Sequence, residues 1–198
     1  MSGRILPAAF HAPIPDERVA QARVAAGILG ETMVKRFPWS GRTRPMVDGN
    51  AEVVLNRTWR PALSITGADG LPPIANAGNV LRPATKLKLS LRIPPTLDGE
   101  QATAELKTLL EADPPHGATV RFEPDQGATG WNAPATATWL ADAIDASSRT
   151  FYGQPSGALG EGGTIPFMGM LGKQFPEAQF LITGVLGPRS NAHGPNEF

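Results

Sequence analysis

The sequence predicts a chain of mixed class, α+β in its first part and α/β in its second. Three observations carry this. In "TKLKLSLRI" (85–93), Leu87, Leu89, Leu91 and Ile93 alternate with Lys86, Lys88, Ser90 and Arg92, the period of two expected of a half-buried strand. "AQFLITGVL" (178–186) is apolar without alternation, which is the pattern of a parallel strand covered on both faces. Near residue 126 the composition turns glycine-rich, in "DQGATGWNAP", and marks a domain boundary.

The elements follow in chain order. Val19, Ala22, Ala26, Leu29 and Met33 recur at close to 3.6 residues, so 16–36 reads as a helix, with Pro15 at its start and Pro38 just past its end. Residues 37–60 read as polar and irregular. "PALSITGADG" (61–70) is a short strand running into a turn, and 85–93 is the second strand. Asp98 is a helix N-cap with Gln101 three residues on, followed by a stripe of Ala102, Leu106 and Leu109. "ATVRFEP" (118–124) alternates again and reads as a third strand. The order strand, strand, helix, strand predicts an antiparallel sheet with a helix on one face. Beyond 126, Pro134 opens a helix to about Tyr152 carrying Leu140, Ile144, Ser147 and Phe151 on one side. A glycine loop, "GALGEGG", then leads into an apolar segment, and the run 178–186 delivers the closing loop "GPRSNAHGPNEF".

Composition removes several function classes. Eighteen basic residues balance eighteen acidic ones, which gives no electrostatic footprint for nucleic acid or an acidic membrane surface. There is no cysteine, and with it go disulfides, thiolate nucleophiles and Cys-based zinc sites; a reducing cytoplasm is the matching compartment. No apolar run approaches the ~18 residues of a membrane-spanning helix, and "MSGRILPAAFHAPIPDER" has no secretory pattern.

Three places carry chemistry. His193 lies in the loop after the apolar run, where strands of an α/β sheet deliver ligand-binding residues. A histidine in such a polar loop is by default solvent-exposed; Asn191, Asn196 and Glu197 beside it are the groups that could orient an imidazole instead. "GEGGTIP" (160–166) is either an ordinary turn or a set of backbone N–H groups facing a carboxylate or phosphate; it lacks the lysine and spacing of a P-loop. Arg92 closes the alternating strand, where it is either one of several solvated cations or a fork that grips a carboxylate with two parallel hydrogen bonds. His11 and His116 sit in Pro-flanked loops without metal-ligand spacing.

The order of these stretches resembles a known family. "TWRPALSITGADG" (58–70), "NAGNVLRPATKLKLSLRIPPTLDGE" (76–100), "GWNAP" (130–134), "EGGTIPF" (161–167) and "NAHGPNEF" (191–198) together look like the C-terminal half of an M20-family metallopeptidase, close to the carnosinase-like dipeptidases. The resemblance implies a partial ferredoxin-like lid, or dimerisation, domain over 1–125. A C-terminal piece of the α/β zinc-peptidase catalytic domain would follow over 126–198. It implies peptide or amide hydrolysis by water activated on two divalent ions, zinc or else manganese or cobalt, in a cytoplasmic homodimer assembled through the lid. The substrate would be a small peptide or an N-acyl amino acid. Carried over residue by residue, His193 is a metal ligand. Arg92 grips substrate, and Glu161, Gly162, Gly163 and Thr164 form the segment that holds the substrate's carboxylate end. Asn79 stands where relatives place a threonine that reaches the neighbouring subunit's site. The family's other ligands, its Glu-Glu pair with the general base and its lid histidine have no counterpart in this sequence. The expectation is therefore an inactive fragment that stops within the active site. The alternatives are a non-catalytic, lid-derived dimerisation module and a desuccinylase-like deacylase on the same scaffold.

Overall fold

The computed structural model describes residues 3–161, 166–184 and 190–195. It is mixed α/β, with six α-helices and one two-stranded sheet among the described residues. The chain divides into two compact units, Met1–Asn132 with Gly157–Leu171, and Ala133–Ser156 with Gly172–Phe198.

The first unit opens with helix α1 (Asp16–Leu29), which has Asp16 and Glu17 in its first turn, where carboxylates oppose the helix dipole. The expected single helix over 16–36 is in fact two. Gly30 takes φ 52° and ψ −140°, a backbone conformation open essentially to glycine, and ends α1 with its N–H on the Ala26 carbonyl. Helix α2 (Thr32–Lys35) follows after Glu31. The irregular stretch expected over 37–60 also contains a helix, α3 (Asn50–Thr58), with Gly49 before it at φ 87°. Its spacing was there to be seen: Ala51, Val54, Leu55 and Trp59 fall on one helical face, and that face packs on α1. Ala22 and Ala26 of α1 with Val54, Leu55 and Trp59 form the buried core, flanked by Ile14, Met33 and Ala51. The small alanines of α1 let the larger side chains of α3 approach closely.

Strands β1 (Ala62–Asp69) and β2 (Lys86–Arg92) pair antiparallel, from Ala62 opposite Arg92 to Asp69 opposite Lys86. Between Ile65 and Gly67 the register shifts by one residue, leaving Thr66 without a ladder partner, a β-bulge. At the turn end, Gly70 has φ 78° and a side chain there would strike the Ala84 carbonyl, so the turn requires glycine. Leu89 and Leu91 are half-buried, whereas Leu63, Ile65 and Leu87 are exposed. The alternation thus reports strand conformation faithfully and its burial only in part, because two strands cover little of each other's faces.

Helix α4 (Gly99–Glu111) starts as expected, with the Asp98 carboxylate accepting the Gln101 amide at 2.8 Å. Of its stripe, Ala102 is buried, Leu106 half-buried and Leu109 exposed. Segment 126–130 lies directly on the first turn. The Gly99 amide donates to the Thr129 hydroxyl at 3.0 Å, and glycine at 99 and 127 permits the close backbone approach, while Gly130 lies against Pro95. The strand expected at 118–124 is not formed. Those residues lie in no hydrogen-bonded ladder, and the Phe122 amide instead donates to the Glu111 carboxylate at 2.7 Å. That side-chain acceptor satisfies the donor a strand neighbour would otherwise take.

The second unit contains helix α5 (Thr138–Tyr152), which begins four residues after Pro134 rather than at it. Leu140 and Ile144 are half-buried, while Ser147 and Phe151 of the expected stripe are exposed. Gly153 closes the helix in the left-handed conformation at φ 67°. The Asp145 carboxylate ties the exit back by pairing with Arg149 at 2.6 Å and accepting the Ser156 amide at 2.9 Å. Gln179 accepts the Ala137 amide at 2.6 Å. The expected parallel strand is not realised in its described part: 178–184 pairs with no other strand, and Leu181 and Ile182 are exposed. Residues 185 and 186 of that run lie outside the described residues. An apolar run forms a buried strand only where neighbours supply ladder partners and cover, and none does so here among the described residues. The remaining helix among the described residues, α6 (Pro166–Gln174), belongs to the first unit through Leu171 and to the second from Gly172.

Candidate functional site

The first unit contains an open cavity of about 620 Å³. Its walls are the length of β2 from Lys88 to Arg92, the inner side of α4 at Ala102 and Leu106, and the segment from Phe122 to Trp131. Arg57 and Arg60, from the end of α3, and Glu161 complete the lining. The lining mixes apolar groups such as Leu89, Leu91, Ala102, Leu106 and Phe122 with the charged groups Arg57, Arg60, Lys88, Arg92, Asp125 and Glu161. A concave lining of apolar groups with a few polar ones among them is what a small-ligand site requires.

Two of the residues singled out from sequence meet here. Arg92 reaches the cavity because it is the last residue of β2, held opposite Ala62. Glu161 lines the same cavity and is tied by an ion pair to Arg57, Nη2 to Oε2 at 2.6 Å. Arg60 is turned toward Glu52, at 2.7 Å, and toward the Asn56 side chain, also at 2.7 Å. The Phe122 wall is held by Glu111. The Lys107 ammonium beside it, together with the Phe122 N–H, keeps its carboxyl below the usual glutamate range.

The other residues are not gathered there. Asn79 is exposed in the loop between the strands and does not line this cavity. Gly162, Gly163 and Thr164 lie outside the described residues. His193 belongs to the second unit, exposed in a tight turn at φ 60° with the Gly194 amide on the Asn191 carbonyl at 2.9 Å. A left-handed backbone at a non-glycine residue marks a constrained position. Among the described residues no group of three or more His, Asp or Glu side chains could hold a metal ion. A dinuclear centre therefore does not fit the described residues by themselves. Sequence reading missed Arg57, whose partner lies 104 residues away; its place at the end of an unrecognised helix hid the only local signal.

The architecture matches solved M20-type enzymes. The M20 family metallo-carboxypeptidase Sso-CP2 from Sulfolobus solfataricus aligns with a TM-score of 0.69 at 19% identity, over 100% of this chain and 44% of that one. The di-peptidase Dug1p from Saccharomyces cerevisiae gives 0.60 at 20% identity, over 88% and 37%. Human carnosine dipeptidase 1 gives 0.56 at 22%, over 87% and 37%. The resemblance to M20-family metallopeptidases and dipeptidases read from the motifs is thus borne out, over part of the length of such enzymes. Among curated proteins, a cysteinylglycine-S-conjugate dipeptidase from Corynebacterium striatum is 30% identical over 145 residues, 70% of this chain. The chain spans about a third of that relative's length, 30%. No family model matches the chain. No helix among the described residues is long and apolar enough to cross a membrane.

Proposed function

We propose that this chain is the substrate-gripping portion of a dipeptidase-type M20 metallohydrolase that cleaves a peptide or amide bond in a small, carboxylate-bearing substrate. The convergence of Arg92 and Glu161 on one cavity is the observation that carries the reading, and the dipeptidase relative supports it. Arg92 is the carboxylate grip: a guanidinium forms two parallel, charge-assisted hydrogen bonds with a carboxylate, a fit that lysine lacks. Glu161 begins the segment through Gly162, Gly163 and Thr164 that completes this end of the site. His193 is one ligand to a pair of divalent ions, zinc foremost, whose bound water attacks the scissile carbonyl in the whole enzyme. Residues 1–125 serve as lid and homodimer contact, 126–198 as part of the catalytic domain, and the compartment is cytoplasmic. With one imidazole as its share of the ligands, the chain by itself is inactive.

The experiment mixes the chain, in the presence of zinc, with the remaining portion of the Corynebacterium striatum relative and follows hydrolysis of alanylglycine. The chain alone should be silent and the mixture active. Arg92→Ala should then raise KM about 10-fold, near 1.4 kcal/mol, for free-carboxylate dipeptides and leave C-terminal amides unaffected. Equal losses on both substrates would remove Arg92 from the carboxylate. A second reading, a lid-derived interaction module without catalysis, is favoured by the exposed Ile74, Val80 and Leu81 of the inter-strand loop. A stable zinc-free dimer together with a silent mixture would select it.

A further inference from the structure

The end of α3 is the part of the cavity to which no motif assigns a role. Arg57 is in the last turn of that helix and its guanidinium contacts the Glu161 carboxylate at 2.6 Å. A second contact lies beside it: Gly160 packs on Thr58, where an added Cβ would sit 3.2 Å from the Thr58 methyl. Thr58 is itself held, its hydroxyl donating to the Val54 carbonyl at 2.8 Å, and Val54 is in the buried core. Segment 160–161 therefore docks on a helix end that the α1–α3 core fixes in place. Both members of the ion pair line the cavity that Arg92 lines.

We propose that Arg57 is a positioning residue that holds the Glu161 carboxylate in the cavity that Arg92 also lines, and through it the chain at 160–161. The substrate side of this assignment rests on the dipeptide reading above; the holding of Glu161 by Arg57 does not. The pair is half-exposed, with side-chain exposures of 51% and 63%, so its contribution to global stability is small and its effect is local. Its value to the site is geometric. A carboxylate already aimed into the cavity needs no ordering when ligand arrives, whereas a free glutamate loses rotamer freedom on binding. Two arginines then line one cavity, Arg92 with the grip assigned to it above and Arg57 holding the Glu161 carboxylate.

Because the chain has no cysteine, a single introduced one carries a nitroxide label without background. Leu159→Cys places it two residues before Glu161, at a site 39% exposed, and Glu105→Cys on the outer face of α4 serves as control. Arg57→Gln and Glu161→Gln should each speed label motion at 159 at least two-fold, and the double variant should add nothing further. Arg57→Lys should retain most of the immobilisation, and the charge swap Arg57→Glu with Glu161→Arg should restore it. An unchanged label in Arg57→Gln, additive effects in the double variant, or equal loosening at 105 would each overturn the assignment. Titration with alanylglycine then separates the two ideas. Saturable further immobilisation in the parent, with the half-point raised at least five-fold by Arg57→Gln, supports both. No response to alanylglycine in the parent defeats the dipeptide reading, while the label series alone decides the role of Arg57.

Discussion

Glu111 joins two parts of the first unit through one carboxylate. Lys107 donates to both of its oxygens, at 2.8 and 2.7 Å, and the Phe122 amide donates to one of them at 2.7 Å. All three bonds are stronger to the ionised form, and those from Lys107 and then from Phe122 lower the pKa from its ordinary 4.5. A depressed folded-state value makes the contribution complete above the ordinary glutamate range and removes it as pH falls through the lower, folded value. The acid transition of the Phe122 amide resonance should therefore have its midpoint below 4.5, the ordinary glutamate value. In Glu111→Gln that acid transition should vanish from a two-dimensional NMR titration; its persistence would assign the shift to another group. Arg92 and Glu161 were legible as candidates because each lies in a recognisable stretch. Arg57 was not, since what gives it a role is a partner 104 residues distant, and no periodicity encodes such a contact.

At the scale of elements, the first turn of α4 and the glycine-rich segment 126–130 form one packed piece. An added Cβ at Gly99 would lie 2.6 Å from the Ala128 carbonyl carbon, and one at Gly127 would lie 2.7 Å from the Thr103 hydroxyl. Gly127→Ala should accordingly cost about 1–3 kcal/mol through overpacking of backbone against backbone. Gly27→Ala, at a helical site with nothing within 4 Å, should instead gain about 0.5–1 kcal/mol. Urea midpoints at constant m decide both, and a neutral Gly127→Ala would mean that the segment can retreat from the helix. Here "DQGATG" reads in sequence as a linker, and its glycines do make a boundary-like texture. Gly127 also allows close approach to Gly99, which composition by itself does not reveal. The two clear strands, the Asp98 cap and the α1 stripe were readable because each depends on neighbours a few residues away. The strands expected at 118–124 and 178–184 depend on partners elsewhere, and an alternating or apolar pattern states only what a strand would want.

For the whole molecule, the notable quantity is apolar surface left in water. Ile74 is 96% exposed and Leu81 100%, both in the loop that carries Asn79, and Leu181 and Ile182 are each 61% exposed in the second unit. Clustered apolar side chains of this size mark surfaces that associate. The chain should bind a hydrophobic reporter dye and show concentration-dependent association in sedimentation. Ile74→Ser with Leu81→Ser should lower the association constant at least several-fold without changing the circular dichroism of the helices. Undiminished association in that variant would place the contact on the second unit, where Leu181→Ser and Ile182→Ser become decisive.

The bulge at Thr66 has a consequence for how β1 tolerates change in length. Leu63 and Ile65 face Leu91 and Leu89, and past the bulge it is Ala68, not residue 67, that meets Leu87. One supernumerary residue thus keeps an odd-numbered and an even-numbered series on the same side of the sheet. Loss of Thr66 alone would leave every apolar pairing in frame, while loss of a residue on either side would put half the strand out of phase. The strand has a single position at which its reading frame can be shortened, and it is the one residue that the ladder does not use.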